Sequence, residues 1–164
     1  QEPKQRAYLI NHFLEQFRAT LYRQTMFAEF ELWCSEQTRQ GQALTAEALC
    51  AKYAELNRSY YGDEIVADPD IALEWARIPH FYYNFYVYQY ATGFACAVAL
   101  SQRILREGEP AVQDYLHFLS GGCSTDPVSL LQGAGVDLST PAPIDAALDY
   151  FGQLLDEMEA LLNG

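Results

Sequence analysis

The sequence predicts an all-α fold, a multi-helix bundle, and three observations lead to that prediction. Half of the 164 residues are hydrophobic, which is enough to build one domain with a core of its own. Apolar residues recur at intervals of three and four along most of the chain, the spacing of one helix face. Glycine and proline fall between these periodic stretches and separate them. Because no internal repeat or linker divides it, the chain over 1–164 is predicted to form a single all-α unit.

The first predicted helix covers residues 3–38, a stretch without glycine whose only proline, Pro3, stands at its start. Its apolar positions are Ile10, Phe13, Phe17, Leu21, Tyr22, Met26, Phe30 and Trp33. This apolar stripe drifts around the helix, so several of its sides are expected to be covered. About 36 residues would span about 54 Å, whereas a compact domain of this size is only about 40 Å across. The helix is therefore predicted either to kink or to belong to a larger body.

The second predicted helix covers residues 45–60. Thr45 is a suitable N-cap, Glu47 places an acid in the first turn, and Gly62 ends the helix. The acidic loop at 62–70 follows, and its acids are Asp63, Glu64, Asp68 and Asp70. An EF-hand calcium loop has glycine at its sixth position, whereas Gly62 precedes these acids. The loop is therefore predicted to be a solvated connection and not a calcium site.

Five further helices are predicted from apolar periodicity and its interruption by glycine or proline. They are expected at 71–76, 83–106, 110–119, 126–133 and 144–162. Gly108 closes the long helix at 83–106, and Pro110 opens the next one. Pro141 and Pro143 mark a loop before the last helix.

Composition narrows the classes of partner and compartment. The 22 acidic and 10 basic residues give a net charge of -12, which would repel a phosphate backbone, so nucleic acid and anionic membranes are poor candidate partners. No apolar run of about 18 residues is present to span a bilayer. None of the four cysteines belongs to a C-x-x-C pair, so a zinc knuckle is not indicated. Because all four lie among apolar or small residues, they are predicted to be reduced, mostly buried thiols of a cytoplasmic protein and not disulfides. They are Cys34, Cys50, Cys96 and Cys123.

The segment with the most unusual composition begins at Pro79 and His80 and ends at Tyr90. Seven of the ten residues from Phe81 to Tyr90 are aromatic, and five of them are tyrosines. One interpretation is a buried aromatic helix or strand. However, each tyrosine hydroxyl needs a partner when it is buried. A polar cleft is the alternative, because hydroxyls beside a histidine can donate to a carbonyl oxygen as it becomes an oxyanion.

The three histidines, His12, His80 and His117, lie far apart and indicate no complete metal site. The sequence contains no H-E-x-x-H, so no zinc is expected to bind to this chain. His12 could share a helix face with Glu15 or Gln16, but a surface or core-satisfied histidine is the favoured interpretation. His117 lies in an ordinary amphipathic pattern and is interpreted as structural. The glycines lack the spacing of a phosphate-binding loop, and no Ser-His-Asp arrangement is indicated.

Several stretches of the sequence resemble the oligoendopeptidase F family of thimet-type zinc metallopeptidases. They are Leu14-Glu15-Gln16-Phe17-Arg18, Phe27-Ala28-Glu29-Phe30-Glu31, Ala72-Leu73-Glu74-Trp75-Ala76-Arg77-Ile78-Pro79-His80-Phe81-Tyr82-Tyr83 and Gln89-Tyr90-Ala91-Thr92-Gly93. The resemblance runs from near Arg6 to the last helix, and the stretch from Trp75 to Gly93 is the most specific part. It implies that the chain is the C-terminal part of a larger helical catalytic domain, and that the full-length enzyme hydrolyses short peptides with zinc.

The resemblance also implies a division of labour. The H-E-x-x-H helix and the glutamate that completes the zinc site lie upstream in such peptidases, so the chain is expected to begin after both and to be inactive alone. Its contribution would be the substrate-facing wall of the cleft. The implied catalytic residues are Tyr83 and Tyr86, either of which can be the principal donor to the oxyanion, and the implied substrate-binding residues are His80 and Tyr90. The expected partners are short peptides and the missing N-terminal part of the same protein.

Two further expectations concern geometry and association. If the long helix begins near Tyr83, then Tyr83, Tyr86 and Tyr90 share one face, while Phe85 and Val87 turn towards the core. The apolar first helix also predicts that the isolated chain self-associates. A hypothesis from another class is a helical interaction module that keeps the peptidase scaffold without catalysis.

Overall fold

The computed structural model describes residues 2–163, and within them it contains helices and turns but no strand. The predicted all-α fold is thereby confirmed. Seven α-helices form it: α1 Pro3–Gln16, α2 Arg23–Arg39, α3 Ala46–Tyr61, α4 Tyr88–Glu107, α5 Glu109–Ser120, α6 Pro127–Gly133 and α7 Ala142–Asn163. A π-helical turn, Phe17–Tyr22, joins α1 to α2, and two 3-10 segments, Pro69–Arg77 and Pro79–Tyr82, precede α4. None of the described helices is long and apolar enough to cross a membrane.

The chain divides into two compact units. One is formed by the residues up to Phe17 together with those from Thr92 onwards, and the other by Arg18–Ala91. Along the sequence the second unit lies between the two parts of the first, and the helical stretch from α1 to α2 and helix α4 each contribute residues to both. The interpretation of 1–164 as one domain stays a prediction.

The Arg18–Ala91 unit has a core built by α2 and α3. Its buried residues are Met26, Phe27, Phe30, Tyr53, Leu56, Ile78 and Val87. The Thr45 side chain accepts a hydrogen bond from the Ala48 N–H at the start of α3, and Gly62 ends the helix with a φ of 76°. Both ends of this helix therefore lie where the sequence predicts, because local capping determines them.

The other unit is formed by helix packing, and two sets of charged contacts link its elements. Arg6 and Glu157 form a bidentate ion pair between α1 and α7, with the shorter N–O distance 2.6 Å. Arg103 donates to the Ala134 carbonyl and to the Asp114 carboxylate, each at 2.6 Å. Aromatic rings fill the space beside α1, and they belong to Phe13, Phe17, Phe94, Tyr150 and Phe151.

Helix α4 corrects one prediction, because it begins at Tyr88 and not near Tyr83. Asn84 and Phe85 have left-handed backbone angles, with φ values of 50° and 59°, which an α-helix cannot accommodate. Tyr83 and Tyr86 therefore lie on a loop, and the predicted helical face shared with Tyr90 does not exist. Val87 is buried as predicted, but Phe85 is 41% exposed and does not turn towards the core.

The remaining helices lie close to their predicted positions, although the predicted piece at 71–76 is a 3-10 segment. The acidic loop at 62–70 is exposed throughout; the absence of calcium binding stays a prediction. The cysteines are less buried than predicted, since Cys96 alone is buried, Cys34 and Cys50 are half-buried and Cys123 is exposed. Cys123 stands in the turn after two glycines, where the chain offers little to cover it.

Candidate functional site

The residues predicted to form the site lie on one segment, residues 79–90, which we call the aromatic loop and which includes the first residues of α4. Pro79 starts its first 3-10 turn, where a missing N–H and a fixed φ are favourable. Ile78 just before the loop and Val87 within it are buried in the core of the Arg18–Ala91 unit. These two apolar anchors hold the loop at both sides, while the residues between them are mostly exposed.

Four polar aromatic side chains meet on this loop, and we call them the His80 cluster: His80, Tyr83, Tyr86 and Tyr90. The His80 ring is central, with centroid distances of 5.8 Å to Tyr83, 5.7 Å to Tyr86 and 5.8 Å to Tyr90. It stacks on Tyr86 and meets the other two rings edge to face. The structure thus brings all four predicted residues together, although by a loop and not by the predicted helix face.

The hydroxyls of the His80 cluster are partly bonded to one another and partly open. The Tyr90 hydroxyl and His80 Nε2 share a hydrogen bond of 3.3 Å. A hydrogen bond with Tyr86 raises the pKa of Tyr90 above its ordinary value. Tyr83, Tyr86 and Tyr90 are 60%, 39% and 37% exposed. Such an arrangement can donate hydrogen bonds to a carbonyl oxygen while its ring faces contact apolar groups.

Sequence reasoning missed Glu31, which contacts the aromatic loop from α2. Glu31 is only 9% exposed, and its carboxylate accepts a hydrogen bond of 2.6 Å from the Phe85 N–H. The signal that could have found it is its position four residues after Phe27. Residues at that spacing share a helix face, and Phe27, although outside the predicted apolar stripe, is a large aromatic residue of the kind usually found in a core. A buried carboxylate needs a hydrogen-bond partner.

The 3-10 segment that leads to the loop is fixed by the Glu74 network, which consists of Arg23, Tyr53, Glu74 and Arg77. Arg23 donates to both carboxylate oxygens of Glu74, at 2.9 and 2.8 Å, and Tyr53 donates its hydroxyl at 2.6 Å. Arg77 forms a further ion pair with the same carboxylate. The hydrogen bond from Arg23 is the main cause that lowers the pKa of Glu74 to about 2. Burial raises the pKa of Tyr53, and the hydrogen bond to Glu74 is the second cause of this increase.

Metal-binding groups are not brought together in the part of the chain that the structure describes. No cluster of three or more His, Cys, Asp or Glu side chains within residues 2–163 could hold a metal ion. His12 and His117 are exposed on α1 and α5, in agreement with their interpretation as ordinary helix residues. His80 is the one histidine that joins the candidate site.

Three comparisons place the chain among known proteins. A sequence model described as Peptidase family M3 matches residues 1–150. The chain is 54% identical to Oligopeptidase PepF of Bacillus subtilis over 99% of its length, and 44% identical to plasmid Oligoendopeptidase F of Lactococcus lactis subsp. cremoris. A crystal structure of oligoendopeptidase-F from Enterococcus faecium superposes with a TM-score of 0.95 at 45% identity, covering 99% of this chain and 31% of that one. The chain spans 24% and 27% of the two curated relatives.

Proposed function

This chain belongs to Peptidase family M3, and we propose that it is the C-terminal part of a zinc-dependent oligoendopeptidase that hydrolyses internal bonds of short peptides. Similarity along 99% of the chain, to relatives about four times as long, supports this proposal. By resemblance to this family, we assign zinc and the general base to the N-terminal part of the same protein, which is also the proposed partner of this chain.

The observation that carries the proposal is the His80 cluster. Tyr83 and Tyr86 carry hydroxyls on an anchored loop, and both side chains are exposed to solvent. We assign to them the donation of hydrogen bonds to the carbonyl oxygen of the scissile peptide bond. Such bonds strengthen as negative charge develops on that oxygen, so they stabilise the transition state more than the bound substrate. His80 and Tyr90 are assigned to substrate contact.

Activity of the full-length protein tests the assignment of the whole chain. We expect it to cleave a quenched fluorescent peptide, to lose this activity on chelation and to regain it with Zn²⁺. The isolated chain should neither cleave the peptide nor bind stoichiometric zinc, because it contains no H-E-x-x-H. Hydrolysis and one bound zinc per isolated chain would contradict the assignment. A coding sequence without an upstream H-E-x-x-H would favour the non-catalytic interaction module.

Steady-state kinetics of Tyr83→Phe and Tyr86→Phe in the full-length enzyme test the roles within the site. Removing one oxyanion donor lowers kcat by about 10²- to 10³-fold, roughly 2.7 to 4 kcal/mol. We expect KM to change much less, because the lost bond forms mainly in the transition state. Zinc content and fold should be unchanged. Normal turnover in both variants would show that these hydroxyls have no catalytic role.

A further inference from the structure

The turn between Tyr83 and Tyr86 has a backbone conformation that its own residues do not favour. Asn84 and Phe85 both have positive φ values, 50° and 59°. Asparagine tolerates the left-handed region, whereas a bulky residue such as phenylalanine rarely adopts it. Strained backbone of this kind persists only where surrounding contacts hold it in place.

The contact that holds this turn comes from a residue distant in sequence. Glu31 lies 54 residues before Phe85, and its carboxylate accepts the Phe85 N–H at 2.6 Å. This distance is short for an N–H···O hydrogen bond, so the contact holds the donor closely. Because Glu31 is buried on α2, a rigid helix of the core, it fixes the Phe85 backbone at one point.

We propose that Glu31 is a positioning residue, which sets the relative placement of Tyr83 and Tyr86 by holding the turn between them. The inference rests on the proposed role of these tyrosines as oxyanion donors. In this role the Glu31 carboxylate acts through the Phe85 backbone and not by direct contact with substrate. This role requires an acceptor oxygen within hydrogen-bond distance of the Phe85 N–H, and it does not require a negative charge.

The test compares Glu31→Gln, Glu31→Asp and Glu31→Ala in the full-length enzyme. The Gln side chain has a carbonyl oxygen that can accept the Phe85 N–H at the same distance, so kcat should stay within about threefold of wild type. Asp keeps the charge but is one methylene shorter, and Ala has no acceptor. Both should lower kcat by about 10- to 100-fold while KM changes by less than about threefold, since misplaced groups cost mainly transition-state stabilisation. Hydrogen exchange of a peptide that covers 81–90 should be faster than in wild type in Glu31→Asp and Glu31→Ala, but not in Glu31→Gln.

Glu29→Ala is the matched control, because Glu29 lies on the same helix and accepts a hydrogen bond from the Tyr60 hydroxyl at 3.0 Å. It should leave kcat and loop exchange unchanged. If Glu31→Ala does not fold, Glu31→Asp decides the question. An active Glu31→Asp variant with an inactive Glu31→Gln variant would overturn the inference. Unchanged hydrogen exchange over 81–90 in Glu31→Asp would overturn it as well. A normal kcat in Glu31→Asp together with a lowered kcat in Tyr86→Phe would overturn this inference but leave the proposed function standing. Normal kcat values in both Tyr83→Phe and Tyr86→Phe would overturn the proposed function.

Discussion

The Glu74 network and the His80 cluster lie in the same unit of the molecule, and both contain tyrosine. They differ in whether the tyrosine hydroxyls are bonded within the protein or available to a ligand. Tyr53 is fully buried, and its hydroxyl is committed to the Glu74 carboxylate. Tyr83 and Tyr86 are 60% and 39% exposed, and their neighbours are other polar aromatic rings. A buried network with every group bonded stabilises one conformation. An exposed cluster on an anchored loop leaves donors available to a ligand.

Local structure explains the difference between these two regions. Tyr53 lies in the middle of α3 on the face that α2 covers, so its hydroxyl must find a partner inside the protein. Tyr83 and Tyr86 lie on either side of a left-handed turn, outside any helix. The comparison therefore predicts opposite effects: changes in the Glu74 network should alter stability, and changes in the His80 cluster should alter turnover.

Removal of the Glu74 carboxylate should have the largest effect on stability. Glu74→Ala leaves the Arg23 guanidinium and the Tyr53 hydroxyl without their acceptor. Breaking a buried charge pair in this way costs about 3–5 kcal/mol. Denaturant unfolding of the full-length protein measures the loss. A cost below about 1 kcal/mol would show that the network is not the structural centre of this unit.

The stability of this unit should also depend on pH through Glu74. Its pKa is lowered from 4.5 to about 2, so Glu74 stabilises the folded state fully above about pH 5 and loses this contribution as pH falls towards 2. The contribution amounts to at most about 3 kcal/mol. The difference in unfolding free energy between wild type and Glu74→Gln should shrink between pH 6 and pH 3. A difference that is constant across that range would contradict the assignment.

Tyr53→Phe should have a smaller effect of the same kind. It removes one hydrogen bond to a charged acceptor, which is worth about 2 kcal/mol, while Arg23 still pairs with Glu74. We expect a lower unfolding free energy, measured in the same denaturant titration, and a normal kcat for the folded enzyme. Tyr82→Phe is the control, because Tyr82 is 82% exposed and lies outside both regions, and its effect should stay within about 0.5 kcal/mol.

Local signals in the sequence were sufficient to predict the helices and the ends of most of them. Thr45 and Gly62 determine α3 through contacts with their own neighbours, so the pattern alone locates it. The start of α4 could not be predicted, because no residue between Tyr83 and Val87 is a glycine or proline. The Phe85 N–H is instead bonded to Glu31, 54 residues away, and a local pattern carries no information about such a contact.

The candidate site shows the same limit. The resemblance to a family indicated which four side chains to consider, and the loop brings them together. Their arrangement around His80 depends on where the loop is anchored, and neither Glu31 nor the Glu74 network was predicted. Both involve carboxylates placed among apolar residues, where burial depends on tertiary packing rather than on local propensity.

The most direct test of the proposed roles is a comparison of kcat values for Tyr83→Phe, Tyr86→Phe and Tyr53→Phe in the same full-length enzyme. Each variant loses one hydroxyl from the same unit, so the volume change is matched. We expect at least one of Tyr83→Phe and Tyr86→Phe to turn over about 10²- to 10³-fold more slowly than Tyr53→Phe, although Tyr53→Phe is the least stable of the three. Equal kcat values for all three variants, close to wild type, would contradict the proposed roles.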